Sequence, residues 1–252
     1  MNDESTSPGS EGEMGLMNHL LELRARLLKA ILSVLLLLVA LLPFAQRLYG
    51  WLAKPLIARL PKGGHMIAIE VTSPFLTPIK LAFVTALFLA MPAVLYQLWA
   101  FISPGLYRHE KRLAVPLLVS SVLLFYLGCA FAYFLVLPAA FHFLAMVTPA
   151  STEMMTDISK YLDFVLTMFF AFGLCFEVPV AVVLLAALGV VTPQKLRQSR
   201  RYVIVGAFVI AAVLSPPDVL SQFMLAVPII VLYELGVFAS GVLARSRREA
   251  AS

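Results

Sequence analysis

The sequence predicts an all-α polytopic membrane protein with six transmembrane helices and with both termini in the cytoplasm. Hydrophobic residues make up 61% of its 252 residues and charged residues only 13%, whereas soluble domains carry roughly 45–50% apolar and about 25% charged residues. The apolar residues also lie in blocks near the roughly 20 residues that a helix needs to cross a bilayer. Lysine and arginine lie mostly on one side of the membrane that these blocks define.

Six apolar blocks give the six predicted spans, of which the fifth is short. Only the sequence Ser215-Pro216-Pro217-Asp218 separates the fifth block from the sixth, so the chain turns abruptly there. A span shorter than the bilayer core is accommodated by local thinning, and we expect short fifth and sixth helices. The predicted spans are residues 27–44, 79–100, 113–137, 161–188, 202–214 and 221–243.

Both termini are expected in the cytoplasm because basic residues are enriched in the cytoplasmic loops of membrane proteins. One side of the membrane carries thirteen lysines and arginines and the other carries six. An even number of spans also puts both termini on the same side. The thirteen are Arg24, Arg26, Lys29, Arg108, Lys111, Arg112, Lys195, Arg197, Arg200, Arg201, Arg245, Arg247 and Arg248; the six are Arg47, Lys54, Arg59, Lys62, Lys80 and Lys160.

The chain divides into a membrane domain and two tails. Residues 1–15 are polar and acidic, and we expect a disordered cytoplasmic tail there. Residues 16–244 form the predicted membrane domain, and residues 245–252 form a short basic cytoplasmic tail. The first apolar block is followed by no small-residue cleavage site, so we expect it to be retained as a span.

Three helical segments are predicted outside or at the ends of the spans. Residues 16–29 place leucines on one helical face, which predicts an amphipathic lead-in helix at the inner interface. The same spacing over residues 49–60 predicts a short helix on the outer surface. The apolar run that begins at Pro138 is expected to extend the third helix beyond the bilayer.

Known enzyme and metal signatures are absent from the sequence. It contains no His-Glu-x-x-His, Gly-x-Ser-x-Gly, P-loop or Gly-rich dinucleotide turn, and its four histidines lie in different segments. Cys129 and Cys175 lie inside apolar blocks, where we expect small buried hydrophobes without a disulfide or a metal. The sequence therefore predicts no cofactor and no nucleic-acid partner. A membrane enzyme without a recognised motif stays open as a third class of function.

Glu177 is the most unusual single residue because it lies well inside the fourth predicted span. A carboxylate there costs on the order of 2.5–3.5 kcal/mol on insertion scales, so its side chain is expected to face protein or a wet cavity. Pro179 cannot donate to the carbonyl of Cys175, which predicts a kink. Two interpretations stay open: a structural carboxylate satisfied by neighbouring groups, and a polar site on a substrate or partner path.

Two carboxylates, Glu22 and Glu110, stand among the basic residues of the predicted cytoplasmic side. A structural interpretation is that Glu22 pairs with Arg26 at i,i+4 and that Glu110 neutralises its basic neighbours. A functional interpretation is that the two together bind two guanidinium groups of an incoming peptide. Arginine suits such a site because its planar fork bonds a carboxylate bidentately, which lysine cannot do.

On the predicted outer side, Asp218 either caps the sixth helix or contributes to a site. Gln222 lies one turn into that helix, where a buried amide requires a partner, often on another helix. Glu234 lies near the inner end of the same span and can snorkel or pair, so no role is assigned to it.

The sequence resembles the TatC family, the multispanning receptor subunits of the twin-arginine protein translocase, over residues 18–240. Six motifs carry the resemblance: His19-Leu-Leu-Glu-Leu-Arg24, Ser73-Pro-Phe-Leu-Thr-Pro-Ile-Lys80, Tyr96-Gln-Leu-Trp-Ala-Phe101, Pro104-Gly-Leu-Tyr-Arg-His-Glu110, Phe172-Gly-Leu-Cys-Phe-Glu-Val-Pro179 and Ser215-Pro-Pro-Asp-Val-Leu-Ser-Gln222.

The resemblance implies a protein that recognises signal peptides with consecutive arginines on folded precursors. It also implies that the protein assembles with single-span TatA-like and TatB-like partners and with further copies of itself in a larger complex. Transport is then driven by the protonmotive force. The signal-binding positions implied by the family are Glu22, Arg24, Phe101 and Glu110, and its buried carboxylate is Glu177.

The same resemblance implies a docking surface for the TatA-like or TatB-like partner around the fifth and sixth helices. Its implied residues are Ser215, Asp218 and Gln222. Ala212 departs from the family pattern, which often has a polar or sulfur-bearing residue just before this turn, so the docking cluster is thinner in this chain.

The leading hypothesis is therefore a translocase receptor in the bacterial cytoplasmic (inner) membrane. A signal peptide would place its arginines on Glu22 and Glu110, and its apolar stretch would run toward Glu177 along a concave, glove-like wall of helices. The alternative is a proton-coupled small-molecule transporter that uses Glu177 as its relay.

Overall fold

The computed structural model describes residues 8–57, 66–102, 111–147, 156–214 and 219–251. Almost all of them are helical, which confirms the predicted all-α class. The helices of the described residues are α1 (Pro8–Leu41), α2 (Ala45–Ile57), α3 (Ser73–Ile102), α4 (Lys111–Phe131), α5 (Leu137–Val147), α6 (Ile158–Cys175), α7 (Val178–Ala187), α8 (Pro193–Gln198), α9 (Arg200–Leu214) and α10 (Val219–Ala251). A 3-10 turn, Leu42–Phe44, joins α1 to α2, and a π-helical segment, Ala132–Val136, joins α4 to α5.

Among the described residues, five helical stretches are long and apolar enough to cross a membrane. They correspond to the first four predicted spans and to the last one. α9 coincides with the predicted fifth span but has only 15 residues, or about 22 Å at 1.5 Å per residue, against about 30 Å for a bilayer core. The five stretches are His19–Leu52, Ser73–Ile102, Ala114–Phe143, Ile158–Ala187 and Gln222–Val242.

The prediction of a short sixth helix is wrong. α10 has 33 residues, and its apolar stretch, Gln222–Val242, has 21, which suffices to cross a bilayer. The helix continues through residues 243–251 because each added residue extends an existing helix without a new nucleation cost.

The first helix is also longer than the sequence predicts. α1 begins at Pro8, within the segment 1–15 for which disorder was expected. Proline is favourable at a first helical position because its φ angle is preset, and the segment only has to extend a helix that already exists. The lead-in helix predicted over residues 16–29 is the same continuous helix as the first span.

α1 is attached to the rest of the protein along one side only. It packs on α3, and few residues of its apolar stretch are buried. Val34 is buried, whereas leucines such as Leu32 and Leu36 are largely exposed. In a membrane these exposed apolar side chains meet lipid.

Polar contacts join the starts of α3 and α6. The Ser159 hydroxyl donates to the Ser73 hydroxyl over 2.8 Å and lies 3.0 Å from that of Thr77. Just before these helices, two short parallel strands pair, β1 (Met66–Ile67) and β2 (Thr156–Asp157). This strand pair departs from the predicted all-helical chain because the joined helix ends bring the preceding extended segments side by side.

Small residues allow the central helices to approach closely, as is usual in membrane proteins. Gly128 of α4 faces the backbone carbonyl of Phe172 in α6 so closely that a Cβ atom would collide with it. One turn away, a Cβ atom on Gly173 would lie 2.7 Å from the ring of Phe125. Phe125 and Phe172 are themselves fully buried, so the α4–α6 contact forms the centre of the core.

The second close contact lies between α7 and α10. A Cβ atom on Gly236 would lie 2.9 Å from the Cα atom of Pro179. The Tyr233 hydroxyl donates to the carbonyl of Leu196 over 2.7 Å, which attaches α8 to the same region of α10.

Gly236→Ala is expected to destabilise the protein by about 1–3 kcal/mol, the usual cost of overpacking. Gly241→Ala is the matched control because it lies on the same helix and nothing lies within 4 Å of its would-be Cβ atom. Both changes add the same helix propensity, so the difference isolates the collision. Thermal unfolding in detergent measures it, and equal midpoints for the two variants would contradict the predicted close packing.

Candidate functional site

Glu177 lies in a break between two helices, as the proline pattern predicts. α6 ends at Cys175 and α7 begins at Val178, with Pro179 as its second residue. The Glu177 backbone stays hydrogen bonded, since its N–H donates to the Leu174 carbonyl over 3.1 Å and its carbonyl accepts from Ala181 over 2.9 Å. The break therefore places a carboxylate inside the fold without leaving that residue's backbone unpaired.

The carboxylate of Glu177 has one occupied and one open oxygen. Its Oε2 atom accepts a hydrogen bond from the hydroxyl of Ser121, a fully buried residue of α4. Its Oε1 atom is buried and has no hydrogen-bond partner among the described residues. A buried polar atom without a partner is rare in native proteins and requires an explanation.

Ser121 was not found by the sequence reasoning. The available signal was a pair of adjacent hydroxyl residues, Ser120 and Ser121, inside the third apolar block. Their roles differ in the structure, since Ser120 donates to the carbonyl of Pro116 on its own helix whereas Ser121 reaches across to Glu177. Only the packing of α4 against α7 distinguishes the two.

Phe101 and the start of the first span meet through an aromatic stack. The rings of His19 on α1 and Phe101 on α3 lie 4.3 Å apart at an interplanar angle of 18°. One turn along α1, Glu22 accepts two hydrogen bonds from Arg26, at 2.9 and 2.6 Å, and both end on its Oε1 atom. The i,i+4 pairing predicted for Glu22 is thereby confirmed, and the carboxylate's second oxygen receives neither bond.

The other predicted residues on this side differ in what can be said of them. The side chain of Arg24 is exposed on α1. Glu110 lies outside the described residues, so the structure does not test whether it joins Glu22 and Phe101.

On the opposite side, Gln222 has the partner that its position in an apolar helix requires. Its Nε2 atom donates to the carbonyl of Phe208 on α9 over 3.1 Å, which confirms that the amide bonds another helix. Ser215 and Asp218 lie outside the described residues. Glu234 pairs with Arg200 at 2.6 Å, consistent with the pairing expected for it.

An open groove of about 650 Å³ lies beside the Glu177 region. Side chains from α3, α6, α9 and α10 line it, and Cys175 and Val178 on either side of the helix break contribute to its wall. Glu177 does not line the groove but turns toward Ser121. At the far end, Lys80 of α3 forms an ion pair with Asp163 of α6, a contact that the sequence reasoning also missed.

The family model described as "Sec-independent protein translocase protein (TatC)" matches residues 18–228. The chain belongs to the TatC family. A TatC protein of Azotobacter chroococcum mcd 1 is 58% identical over 245 residues, which cover 97% of this chain and 96% of that protein. TatC of Escherichia coli (strain K12) is 53% identical over 240 residues, covering 95% of this chain and 90% of that protein.

A solved structure supports the same assignment. The structure described as "Crystal Structure of Twin Arginine Translocase Receptor- TatC" superposes with a TM-score of 0.79 at 39% sequence identity, and the match covers 89% of this chain and 98% of that one. As a TatC protein with several membrane-spanning helices, the chain is a multi-pass membrane component of Sec-independent protein translocation. The relatives are named for transport and not for catalysis, and the small-molecule transporter alternative is not favoured.

The Ser121–Glu177 contact generates a stability prediction. Ser121→Ala should destabilise the protein by about 1–3 kcal/mol, because it leaves both buried carboxylate oxygens without their protein donor. Adding Glu177→Ala should recover most of that loss, since no carboxylate then remains unpaired. Thermal unfolding of the two single variants and the double variant in detergent measures the coupling, and strictly additive effects would show that the hydrogen bond is unimportant.

Proposed function

We propose that this chain is the receptor and core subunit of a twin-arginine protein translocase. It binds signal peptides with consecutive arginines on folded precursor proteins and supports their export, which the protonmotive force drives. One observation carries the proposal: the stacked rings of His19 and Phe101 bring the turn that holds Glu22 to the end of α3. The word "Receptor" in the description of the related solved structure agrees with it.

The proposed topology has six spans with both termini in the cytoplasm of a bacterium, in its inner membrane. The thirteen-to-six imbalance of basic residues supports this orientation. α9 is the fifth span, and its 15 residues require a thinner bilayer beside it. Around it, the helices form a concave, glove-like wall instead of a closed pore.

Signal recognition begins at Glu22, where only one of the two carboxylate oxygens is bonded to Arg26. Arg26 occupies its Oε1 atom, so Oε2 remains for one N–H of an incoming guanidinium group. Phe101 offers an aromatic face on which a guanidinium group stacks favourably. Glu110, the residue before α4 begins, takes the second arginine, and Arg24 completes the set of signal-binding residues.

Later steps use the interior and the opposite side. Glu177 is the polar site that the apolar part of the signal or a partner helix approaches. Ser215, Asp218 and Gln222 form the docking surface for TatA-like and TatB-like single-span subunits, next to the short α9. Copies of the chain associate in a larger complex within the bilayer.

Glu22→Gln and Glu110→Gln are each expected to weaken binding of an Arg-Arg signal peptide by about tenfold, the effect of losing one charge-assisted hydrogen bond. Binding of a Lys-Lys peptide is expected to be weaker from the start and to change little, because an ammonium group neither stacks on Phe101 as a planar guanidinium does nor bonds the Glu110 carboxylate bidentately. Arg26→Gln is the matched control: it removes a neighbouring charge but frees Glu22, so binding should be retained. Crosslinking of a labelled peptide in membranes measures these affinities. Normal export of an Arg-Arg precursor by both glutamate variants would refute the two-carboxylate mechanism.

Glu177→Ala is expected to leave signal binding intact and to block a later step of export. The carboxylate lies in the helix break and bonds Ser121 of α4, whereas the stacked His19 and Phe101 rings join α1 to α3. The first contact with the signal is therefore not expected to need it. Leu185→Ala, an exposed apolar position on α7, is the control. Signal crosslinking and precursor export are measured on the same membranes, and simultaneous loss of both would place Glu177 in recognition instead.

A further inference from the structure

The groove between α3, α6, α9 and α10 has the size of a ligand site, and its walls are mostly apolar. Its volume of about 650 Å³ lies within the roughly 300–1,000 Å³ of pockets that hold small molecules. Apolar side chains such as Val84, Ile210 and Ile229 form most of its surface. The two charged groups that line it, Lys80 and Asp163, lie together at one end.

The groove is elongated and has the depth of one membrane leaflet. Its lining along α6 runs from Asp163 to Cys175, which is about 18 Å at 1.5 Å per residue. Half of a bilayer core is about 15 Å. Asp163 lies near the start of α6 and Lys80 near the start of α3, so the charged end faces one membrane surface and the apolar end reaches the bilayer centre.

The ion pair at the polar end is accessible. The side chains of Lys80 and Asp163 are 54% and 45% solvent-exposed. The contact between them joins Lys80 Nζ to Asp163 Oδ1. An ammonium group has three N–H donors and a carboxylate has two oxygens, so both groups have capacity for a further partner. Because the two opposite charges lie side by side, a ligand that brings both signs of charge complements them, whereas a ligand with a single charge is repelled by one of the two.

We propose that this groove binds one phospholipid of the phosphatidylethanolamine type. One acyl chain lies along α6, the phosphate accepts a hydrogen bond from Lys80, and the ammonium group donates one to Asp163. The four charges then alternate in a ring, so neither protein group loses its counter-charge. The site is independent of the signal-binding function proposed above.

The headgroup preference follows from the two charges. A phosphatidylglycerol has a phosphate for Lys80 but offers no cation to Asp163, which repels it. A phosphatidylcholine has a cation without an N–H donor, so the hydrogen bond to the carboxylate is lost. The hydroxyl of Thr167 donates to the backbone carbonyl of Asp163 over 2.7 Å and does not compete for the carboxylate.

Native mass spectrometry of the purified full-length chain, titrated in detergent with three lipids of identical acyl chains, tests the site. Phosphatidylethanolamine should bind roughly tenfold more tightly than the other two, the value of one charge-assisted hydrogen bond. Asp163→Asn should abolish this preference, and Lys80→Gln should weaken all three lipids. Lys160→Gln is the control because this exposed lysine lies one turn from Asp163 and does not line the groove.

A second pair of variants tests the acyl-chain position. Ile210→Trp should fill the groove and remove the tightly bound lipid, whereas Val209→Trp, exposed next to it on α9, should not. The proposal is overturned if the three lipids bind equally, or if Lys160→Gln or Val209→Trp matches its partner variant. It is also overturned if Lys80→Gln leaves the binding of all three lipids unchanged.

Discussion

The structure depends on one constraint: a bilayer core offers no hydrogen-bond partner to a backbone N–H or carbonyl group. Helices satisfy it within each segment, and a helix break is tolerated only where protein surrounds it. The break at Glu177 obeys this rule, because Phe176 donates back to the carbonyl of Phe172 over 3.0 Å and is itself buried. Its neighbour Pro179 packs against Gly236 of α10. The carboxylate of Glu177 is thus held at the kind of place where irregular backbone is tolerated within a membrane, surrounded by protein.

Single polar contacts set how the helices align once glycines have let them approach. Ser121 joins α4 to the break, Gln222 joins α10 to α9, and Tyr233 joins α10 to α8. Each is a single hydrogen bond within a mostly apolar contact, and α9 and α10 are joined in addition by the Arg200–Glu234 ion pair. Measured interhelical bonds in membranes contribute about 0.6–2 kcal/mol. Such bonds add less to stability than packing does, but each specifies one alignment of two helices that apolar contact alone leaves undetermined.

Sequence reasoning predicted features whose cause is local. Apolar block length predicted the spans, Pro179 predicted the break, and the amide of Gln222 predicted an interhelical bond. It missed the Ser121–Glu177 and Lys80–Asp163 contacts because their partners lie 56 and 83 residues apart. The sequence around one residue of such a pair does not identify its distant partner. The ends of α1 and α10 were also missed, since polar tails that continue an existing helix show no apolar period.

The one-sided attachment of α1 has a consequence for how the protein is inserted into the membrane. During synthesis α1 emerges before any other span, and its exposed leucines suit lipid on nearly every side. α1 can therefore pass from the insertion machinery into lipid by itself, before α3 is made and packs against it. α9 is in the opposite position, because it is too short for a bilayer and packs on α10. We therefore expect α9 and α10 to enter the membrane together as a hairpin, whereas α1 can be inserted alone.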